Sequence, residues 1–228
     1  MSADAAPEYR DATLCRADLE SLAQGPPGHL IGCDLEGAEL AALHLSGWIF
    51  EGCNVRRADF SGARLDRSTW RACRGAFVNF TGADLTDAVI AASDFNNAVF
   101  RRTILSSAAF SASKLTGADF SDARAMDIRF AETLLINAKL PGFSFLKQTL
   151  VKVDLSSADL RKCDFRGVDF ETCSLRDANM TGCRFDGADL RGADLGGLRL
   201  VDAAQFRGAT ISRDQAGQLL GELGLNVR

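Results

Sequence analysis

The sequence contains few of the residues on which most catalytic and metal sites depend. It has two histidines, His29 and His44, one tyrosine and four prolines. So few imidazoles indicate no Ser/His/Asp set, and the sequence has neither a G-x-x-x-x-G-K-[ST] phosphate loop nor an H-E-x-x-H zinc motif. We therefore expect a protein that is not an enzyme and that needs no cofactor or metal ion.

Long apolar runs and a basic balance of charge are also missing. No run approaches the roughly 18 residues of a membrane span, and residues 1–10 lack the basic-then-apolar pattern of a signal peptide. The formal net charge is -4, whereas direct nucleic-acid binding requires basic patches that face phosphates. We expect a cytoplasmic protein that contacts neither a membrane nor nucleic acid directly.

What the sequence does contain is a five-residue period that runs from Leu30 to Leu200. Of the 35 positions on this period, 33 carry a large apolar side chain, and only Gly75 and Ala125 do not. Two residues earlier, 26 of the 35 positions carry Gly, Ala, Ser, Thr or Cys, so that the unit reads A-D-L/F-x-x, as in residues 83–87. This step matches neither the 3.6-residue period of a helix nor the two-residue period of a strand.

A chain that turns by about a right angle once per unit gives the apolar side chains one shared interior. Four units then close a square coil, and successive coils stack at the inter-strand spacing of about 4.8 Å. The pattern resembles that of the pentapeptide repeat family, and the resemblance implies an all-β solenoid, a right-handed quadrilateral β-helix. Residues twenty apart, such as Phe60, Phe80 and Phe100, are expected to stack.

The period divides the chain into three parts. We expect residues 1–11 to form a flexible tail, residues 12–211 to form the β-helix with a loop near residues 20–29, and residues 212–228 to form a short C-terminal helix and tail. Ser212 and the glutamine three residues later match a capping box, and apolar residues at helical spacing follow them. Such a helix would cover the unpaired backbone groups at the end of the β-helix.

The two gaps in the period raise the question of what fills the interior there. Phe77 is a candidate to turn inward in place of the missing side chain at Gly75, and Met126 and Ile128 are candidates near Ala125. Because the large side chain is already absent at Gly75, we expect Gly75→Ala to be mild.

The cysteines follow the same register and include no C-x-x-C pair. Since a free cysteine behaves as a small buried apolar residue, we expect reduced thiols in the interior rather than disulfides or a metal site. Six of the seven occupy the small inward position: Cys33, Cys53, Cys73, Cys163, Cys173 and Cys183.

The five-residue repeat followed by an apolar C-terminal helix is similar to one branch of the family, whose members protect type II topoisomerases from poisons. That branch includes the Qnr, the mycobacterial fluoroquinolone-resistance and the albicidin-resistance proteins. The resemblance implies binding to DNA gyrase or topoisomerase IV through a surface that imitates DNA. It also implies a homodimer joined at the C-terminal end.

Two sets of residues follow as candidates from this resemblance. The dimer contact would use the apolar residues Leu219, Leu220, Leu223, Leu225 and Val227. The side chains that replace phosphates would be Asp154, Asp159, Asp164 and Asp169. The alternative function is a non-catalytic interaction scaffold with no topoisomerase partner. Basic residues such as Arg161 and Arg166 keep this alternative open, because they are interspersed among the acidic residues and weaken a DNA-like field.

Overall fold

The computed structural model describes residues 7–198, 203–222 and 224–227. Within these ranges the helices are α1 Arg16–Leu22, the 3-10 helix Ala203–Phe206 and α2 Arg213–Glu222. The strands are short and share a parallel pairing: β1 Glu8–Arg10, β2 His29–Ile31, β3 Ile49–Glu51, β4 Thr69–Arg71, β5 Val89–Ala91, β6 Ala109–Ser111, β7 Arg129–Ala131, β8 Thr149–Val151, β9 Asp169–Glu171, β10 Cys173–Ser174 and β11 Ala193–Asp194.

The chain divides into two compact units, Met1–Arg129 and Phe130–Arg228. In the first unit, β1 to β6 pair in chain order, and from β2 onward each residue pairs with the one twenty positions later. In the second unit, β8 pairs with β7 and β9, and β10 pairs with β11, with the same twenty-residue step. Twenty residues are four five-residue units, so each coil has four sides.

Each five-residue unit ends in a turn that directs the chain around a corner. The N–H of Ala38 donates to the carbonyl of Leu35 across 3.1 Å, and Gly37 between them has a φ of 65°. The same left-handed position recurs in most described units, often without glycine, as at Arg57 with a φ of 56°. One bend per unit keeps the small residue and the large residue of every unit on the inner side.

Hydrogen bonds between coils satisfy the backbone in both directions along the stack. The N–H of Leu35 donates to the carbonyl of Asn54 at 2.7 Å, and the N–H of Asn54 donates to the carbonyl of Cys33 at 2.9 Å. Because these groups are paired with the neighbouring coils, the interior can be filled entirely by side chains.

The interior contains the aromatic ladders that the period predicts. In the first unit the rings of Phe60, Phe80, Phe100 and Phe120 stack, with successive centroids 5.5, 5.1 and 4.6 Å apart. In the second unit Phe165 stacks on both Phe145 and Phe185 at 5.0 Å. The predicted parallel β-solenoid with a short C-terminal helix is therefore confirmed.

Residues 1–6 of the expected flexible tail lie outside the described residues, and from residue 7 onward the N-terminal end differs from the expectation of a tail and a loop. Residues 8–10 form β1, which adds a strand to the edge of β2. Helix α1 occupies part of the expected loop near residues 20–29 and places Leu19 fully in the interior. The Arg16 guanidinium donates to the carbonyls of Glu39 and Ala41 at 3.2 and 3.0 Å, and so supplies donors that a preceding coil would otherwise provide.

The gap at Gly75 is filled from the next coil rather than by Phe77. A Cβ atom added at Gly75 would overlap the ring of Phe95, which is buried directly beside it. Phe77 instead stands in a left-handed turn and exposes 55% of its surface. Near the second gap Ile128 is fully buried and Met126 is exposed, so Ile128 is the inward residue there.

The capping box at the C-terminal end is present. The Gln215 N–H donates to Ser212 Oγ at 3.1 Å, and the Ser212 N–H donates to Gln215 Oε1 at 2.7 Å. This reciprocal pair starts α2 at the position that the sequence predicts.

Candidate interaction surfaces

The aspartate that precedes the large inward residue is fixed by a local turn. Asp84 Oδ1 accepts hydrogen bonds from the Thr86 backbone N–H at 3.0 Å and from the Thr86 hydroxyl at 2.6 Å. Asp59 accepts the Ser61 N–H in the same way, at 2.9 Å. At these corners the repeated aspartate thus stabilises the turn in addition to placing a carboxylate at the surface.

The four candidate aspartates of the DNA-like surface lie in four separate columns. Asp154 bridges to Ser174, Asp159 to Asn179, Asp164 to Arg184, and Asp169 to Asp189. Residues five apart occupy successive sides of one coil, whereas residues twenty apart share a side. The four carboxylates therefore surround the coil and do not form one straight row.

Two of these four aspartates are held by arginines from the same turn. Arg161 donates from Nε to Asp159 Oδ1 at 2.8 Å and from its terminal nitrogen to Oδ2 at 2.7 Å. Arg166 binds Asp164 with the same geometry and distances. Hydrogen bonds from the arginines lower the pKa of both carboxyls, so these aspartates stay ionised while their charge is compensated locally.

The other two aspartates of the set have different neighbours. Asp154 accepts hydrogen bonds from the backbone N–H and the hydroxyl of Ser156, a neutral residue. Asp169 is exposed and is followed two positions later by exposed Glu171 rather than by an arginine. Of the four candidates, Asp154 and Asp169 are therefore the ones without an arginine two residues on.

The sequence carries a signal for these arginine pairs that the five-residue period does not include. Each pair is written Asp-Leu/Phe-Arg, with the arginine directly after the inward residue, and the same motif pairs Asp189 with Arg191. Both side chains then leave the same side of the coil, which brings the guanidinium to the carboxylate.

The last coil is closed by side chains of α2. Gln215 is buried, and its Nε2 donates to the carbonyls of Leu190 and Ala193, both at 2.7 Å. Glu222 Oε1 accepts the Gly197 N–H at 3.1 Å. The helix therefore covers the end of the solenoid by satisfying its backbone groups as well as by packing on it.

The apolar residues proposed for a dimer contact separate into two groups. Leu219 is 7% exposed and lines an apolar pocket with Leu195 and Phe206, so it packs against its own chain. The exposed group consists of Leu220 at 39% and of Leu225 and Val227 at 56% each. Leu223 lies outside the described residues.

The cysteines are unbridged, and all but Cys15 are buried. Their thiols donate to backbone carbonyls of the preceding coil, as from Cys163 to Leu140 at 3.1 Å. Burial raises the pKa of the Cys33 and Cys173 thiols, which disfavours the reactive thiolate. The inward register predicted for these residues is confirmed.

Within the described ranges, no group of three or more His, Cys, Asp or Glu side chains is arranged to hold a metal ion. Among the described helices, none is long and apolar enough to cross a membrane.

Phe77, which the sequence makes a candidate for the interior, is instead an exposed candidate contact residue. The Arg57 guanidinium lies over its ring at 5.8 Å from the centroid. Arg57 and Arg56 both contact Glu36, at 3.5 and 2.8 Å. The position of Phe77 could have revealed this, because the second residue of the turn is not buried in the described units of the repeat.

Stacked four-sided coils, inward apolar residues every fifth position and a capped end define a β-solenoid built from five-residue repeats. Such solenoids expose columns of outward side chains and are generally structural or interaction proteins. The chain belongs to the pentapeptide repeat family. The profile described as "Pentapeptide repeats (8 copies)" matches residues 83–122, 128–167 and 169–203, and that described as "Pentapeptide repeat region" matches residues 28–94.

Solved structures with the same fold include QnrB1, described as a plasmid-mediated fluoroquinolone resistance protein. The full-length QnrB1 structure is 20% identical, covers 96% of this chain and 98% of its own, and has a TM-score of 0.67. A trypsin-treated variant of QnrB1 is 24% identical, covers 88% and 97%, and has a TM-score of 0.65. Comparison with curated protein sequences gave no significant match.

Proposed function

We propose that this protein binds DNA gyrase or topoisomerase IV and protects the enzyme from topoisomerase poisons without catalysing a reaction itself. The observation that carries the proposal is the fold shared with a fluoroquinolone resistance protein over nearly the whole of both chains. The C-terminal helix and the acidic balance of the sequence, with a pI near 5.3, agree with the proposal. The cytoplasm, where these enzymes act, is the proposed location.

The proposed contact is electrostatic and uses the two candidate aspartates that have no arginine two residues further on. Asp154 and Asp169 project from different sides of the coil, so they would face different walls of a basic DNA channel. Attraction between such a surface and a basic channel weakens with salt, because the screening length is only about 8–10 Å near physiological ionic strength.

The test is a gyrase supercoiling assay with a fluoroquinolone present. Wild-type protein should restore supercoiling, and Asp154→Asn with Asp169→Asn should restore less. The matched control removes one whole pair, Asp159→Asn with Arg161→Gln, which leaves the net charge unchanged and should protect like wild type. Arg161→Gln alone exposes a carboxylate and should protect better.

Two results would count against the proposal. If wild-type protein bound neither gyrase nor topoisomerase IV, with or without DNA and drug, the topoisomerase function would be wrong. If the charge variants all protected equally, binding would remain and imitation of DNA would be wrong.

We also propose that the protein is a homodimer joined by the exposed apolar residues near its C-terminus. Leu220, Leu225 and Val227 would be shielded from water by the same residues of a second copy. Leu225→Asp should then yield a monomer in light scattering, whereas Leu146→Asp, at an exposed leucine on the second unit, should not change the mass. A wild-type monomer would contradict this assignment.

An interaction scaffold without a topoisomerase partner is the second candidate. The observation that favours it is the local compensation of Asp159, Asp164 and Asp189 by arginines, since a DNA-like surface benefits from uncompensated charge. Pulldown from a bacterial lysate separates the two candidates by the presence or absence of topoisomerase subunits.

A further inference from the structure

The C-terminal end of the second unit contains an apolar pocket between the last coil and α2, with a volume of about 160 Å³. We name it the end pocket. Its inner wall consists of four buried leucines, three from the coil and one from α2: Leu190, Leu195, Leu198 and Leu219. Well-packed protein interiors contain few voids larger than a water molecule, so a pocket of this volume is large enough to hold a ligand.

The outer part of the end pocket is lined by residues that are in contact with solvent. Phe206 and Ala209 are half-buried there, and Ile211 is 38% exposed. A small molecule can therefore reach the leucine wall from solvent without unfolding of α2.

The polar groups beside the end pocket already have partners. The Gln215 amide nitrogen donates to the carbonyls of Leu190 and Ala193, and the amide oxygen accepts the Ser212 N–H. In the described part of the chain, every buried side-chain nitrogen or oxygen atom has a hydrogen-bond partner. A charged or strongly polar ligand would lose its hydrogen bonds to water without replacement, so the pocket selects an uncharged, apolar molecule.

The end pocket lies at the end of an aromatic ladder. The rings of Phe145, Phe165, Phe185 and Phe206 stack with successive centroids 5.0, 5.0 and 4.8 Å apart, and successive ring planes differ by 16° or less. Phe206 is the last aromatic residue of the sequence. The ladder therefore ends at a ring that lines the pocket.

We infer that the end pocket binds a small, uncharged aromatic molecule whose ring stacks on Phe206 and so continues the ladder. The volume fits, because an engineered apolar cavity of about 150 Å³ lined by leucine, isoleucine and phenylalanine binds benzene. Stacking on Phe206 should add a factor of about 2–12 to the affinity of an aromatic ring beyond the burial of its surface. The inference does not depend on the proposed topoisomerase function.

The first experiment measures binding of benzene, cyclohexane and phenol to the full-length protein by ligand-observed NMR. Phe206→Leu keeps the pocket apolar but removes the stacking surface. It should weaken binding of benzene by about 2–12-fold and leave binding of cyclohexane nearly unchanged, because only the aromatic ligand loses a stacking partner. Phenol should bind wild type more weakly than benzene, since its hydroxyl group finds no partner in the pocket.

The second experiment fills the end pocket with a side chain. Ala209→Leu should weaken binding of benzene by at least about 10-fold, because the leucine occupies the volume that the ligand needs. The matched control is Ala131→Leu, which places the same side chain on the outer side of β7 and should bind benzene like wild type. If Ala209→Leu does not fold, the Phe206→Leu comparison still decides the question.

Saturable binding of benzene that Ala209→Leu weakens and Ala131→Leu retains supports the inference. Wild-type protein that binds no benzene overturns it, and so does equal binding by Ala209→Leu and wild type. Equal losses of benzene and cyclohexane in Phe206→Leu, or tighter binding of phenol than of benzene, overturn the assignment to an apolar aromatic ligand. Binding of benzene only by the proposed monomeric variant Leu225→Asp shows that a second copy of the chain fills the pocket, which also overturns the inference.

Discussion

Gly75→Ala provides a direct test of how the interior of the first unit is filled. The φ of Gly75 is outside the left-handed region, so alanine would meet no backbone strain there. At such positions a Gly→Ala change ordinarily stabilises a protein by about 0.4–1 kcal/mol, because it restricts the unfolded chain. From the sequence alone the change is expected to be mild.

The structure reverses that expectation. The added methyl group would overlap the ring of Phe95 and would lie 3.1 Å from Val55 Cγ2. Phe95 cannot retreat easily, because its ring is held edge-on between Trp70 and Phe80 with centroids 6.0 and 5.9 Å away. Overpacking of a filled core costs about 1–3 kcal/mol, which corresponds to a fall of about 2–12 °C in melting temperature for a chain of this size.

The assay is thermal unfolding of Gly75→Ala, Phe95→Leu and the double variant. If the clash is the cause, the smaller leucine should accept the methyl group, and the double variant should be more stable than the sum of the single effects by about 0.5–3 kcal/mol. Gly62→Ala is the control: nothing lies near its added Cβ and its φ is 65°, so Phe95→Leu should not rescue it. A melting temperature for Gly75→Ala at or above that of wild type would refute the reasoning.

Three further predictions concern the core, the C-terminal cap and acid stability. Phe100→Ala should destabilise the fold by about 3–5 kcal/mol in chemical denaturation, because the ring is buried between stacked neighbours; a loss below 1 kcal/mol would contradict this. Gln215→Leu should leave two backbone carbonyls without their donor and increase hydrogen exchange in the last coil; unchanged exchange would show that the contact is dispensable. Because Arg166 lowers the pKa of Asp164, this contribution to stability is present above pH about 4 and is lost as the pH falls through the folded-state pKa. Arg166→Gln should therefore destabilise the protein at pH 7 and have little effect near pH 2, as measured by urea unfolding.

Much of the fold could be predicted from the sequence, because the repeat is local and each five-residue unit places its small and its large residue in the interior. Leu30 and the apolar residues at every fifth position after it are predicted to point inward, because only a chain that bends once per unit can bury side chains at this spacing. The stacking of Phe60 on Phe80, the inward thiols and the Ser212–Gln215 capping box follow from the same register. These features depend on residues within one unit or one coil, whose spacing is visible in the chain.

What the sequence did not reveal depends on how side chains from different units meet. The shape of the interior decides that Phe95 fills the gap at Gly75 and that Phe77 stays outside. The open edge of the first coil decides that residues 8–10 form a strand and that Arg16 caps carbonyls.

For the candidate acidic surface, too, the sequence determined one part and the tertiary structure the other. The sequence by itself determined that carboxylates recur at the surface every few residues, since the repeat places an aspartate before the inward residue. Only the tertiary structure showed that Asp159 and Asp164 are each bound by an arginine. The physical reason is that a charge acts through its position and its neighbours, and both are set by the path of the coil in three dimensions.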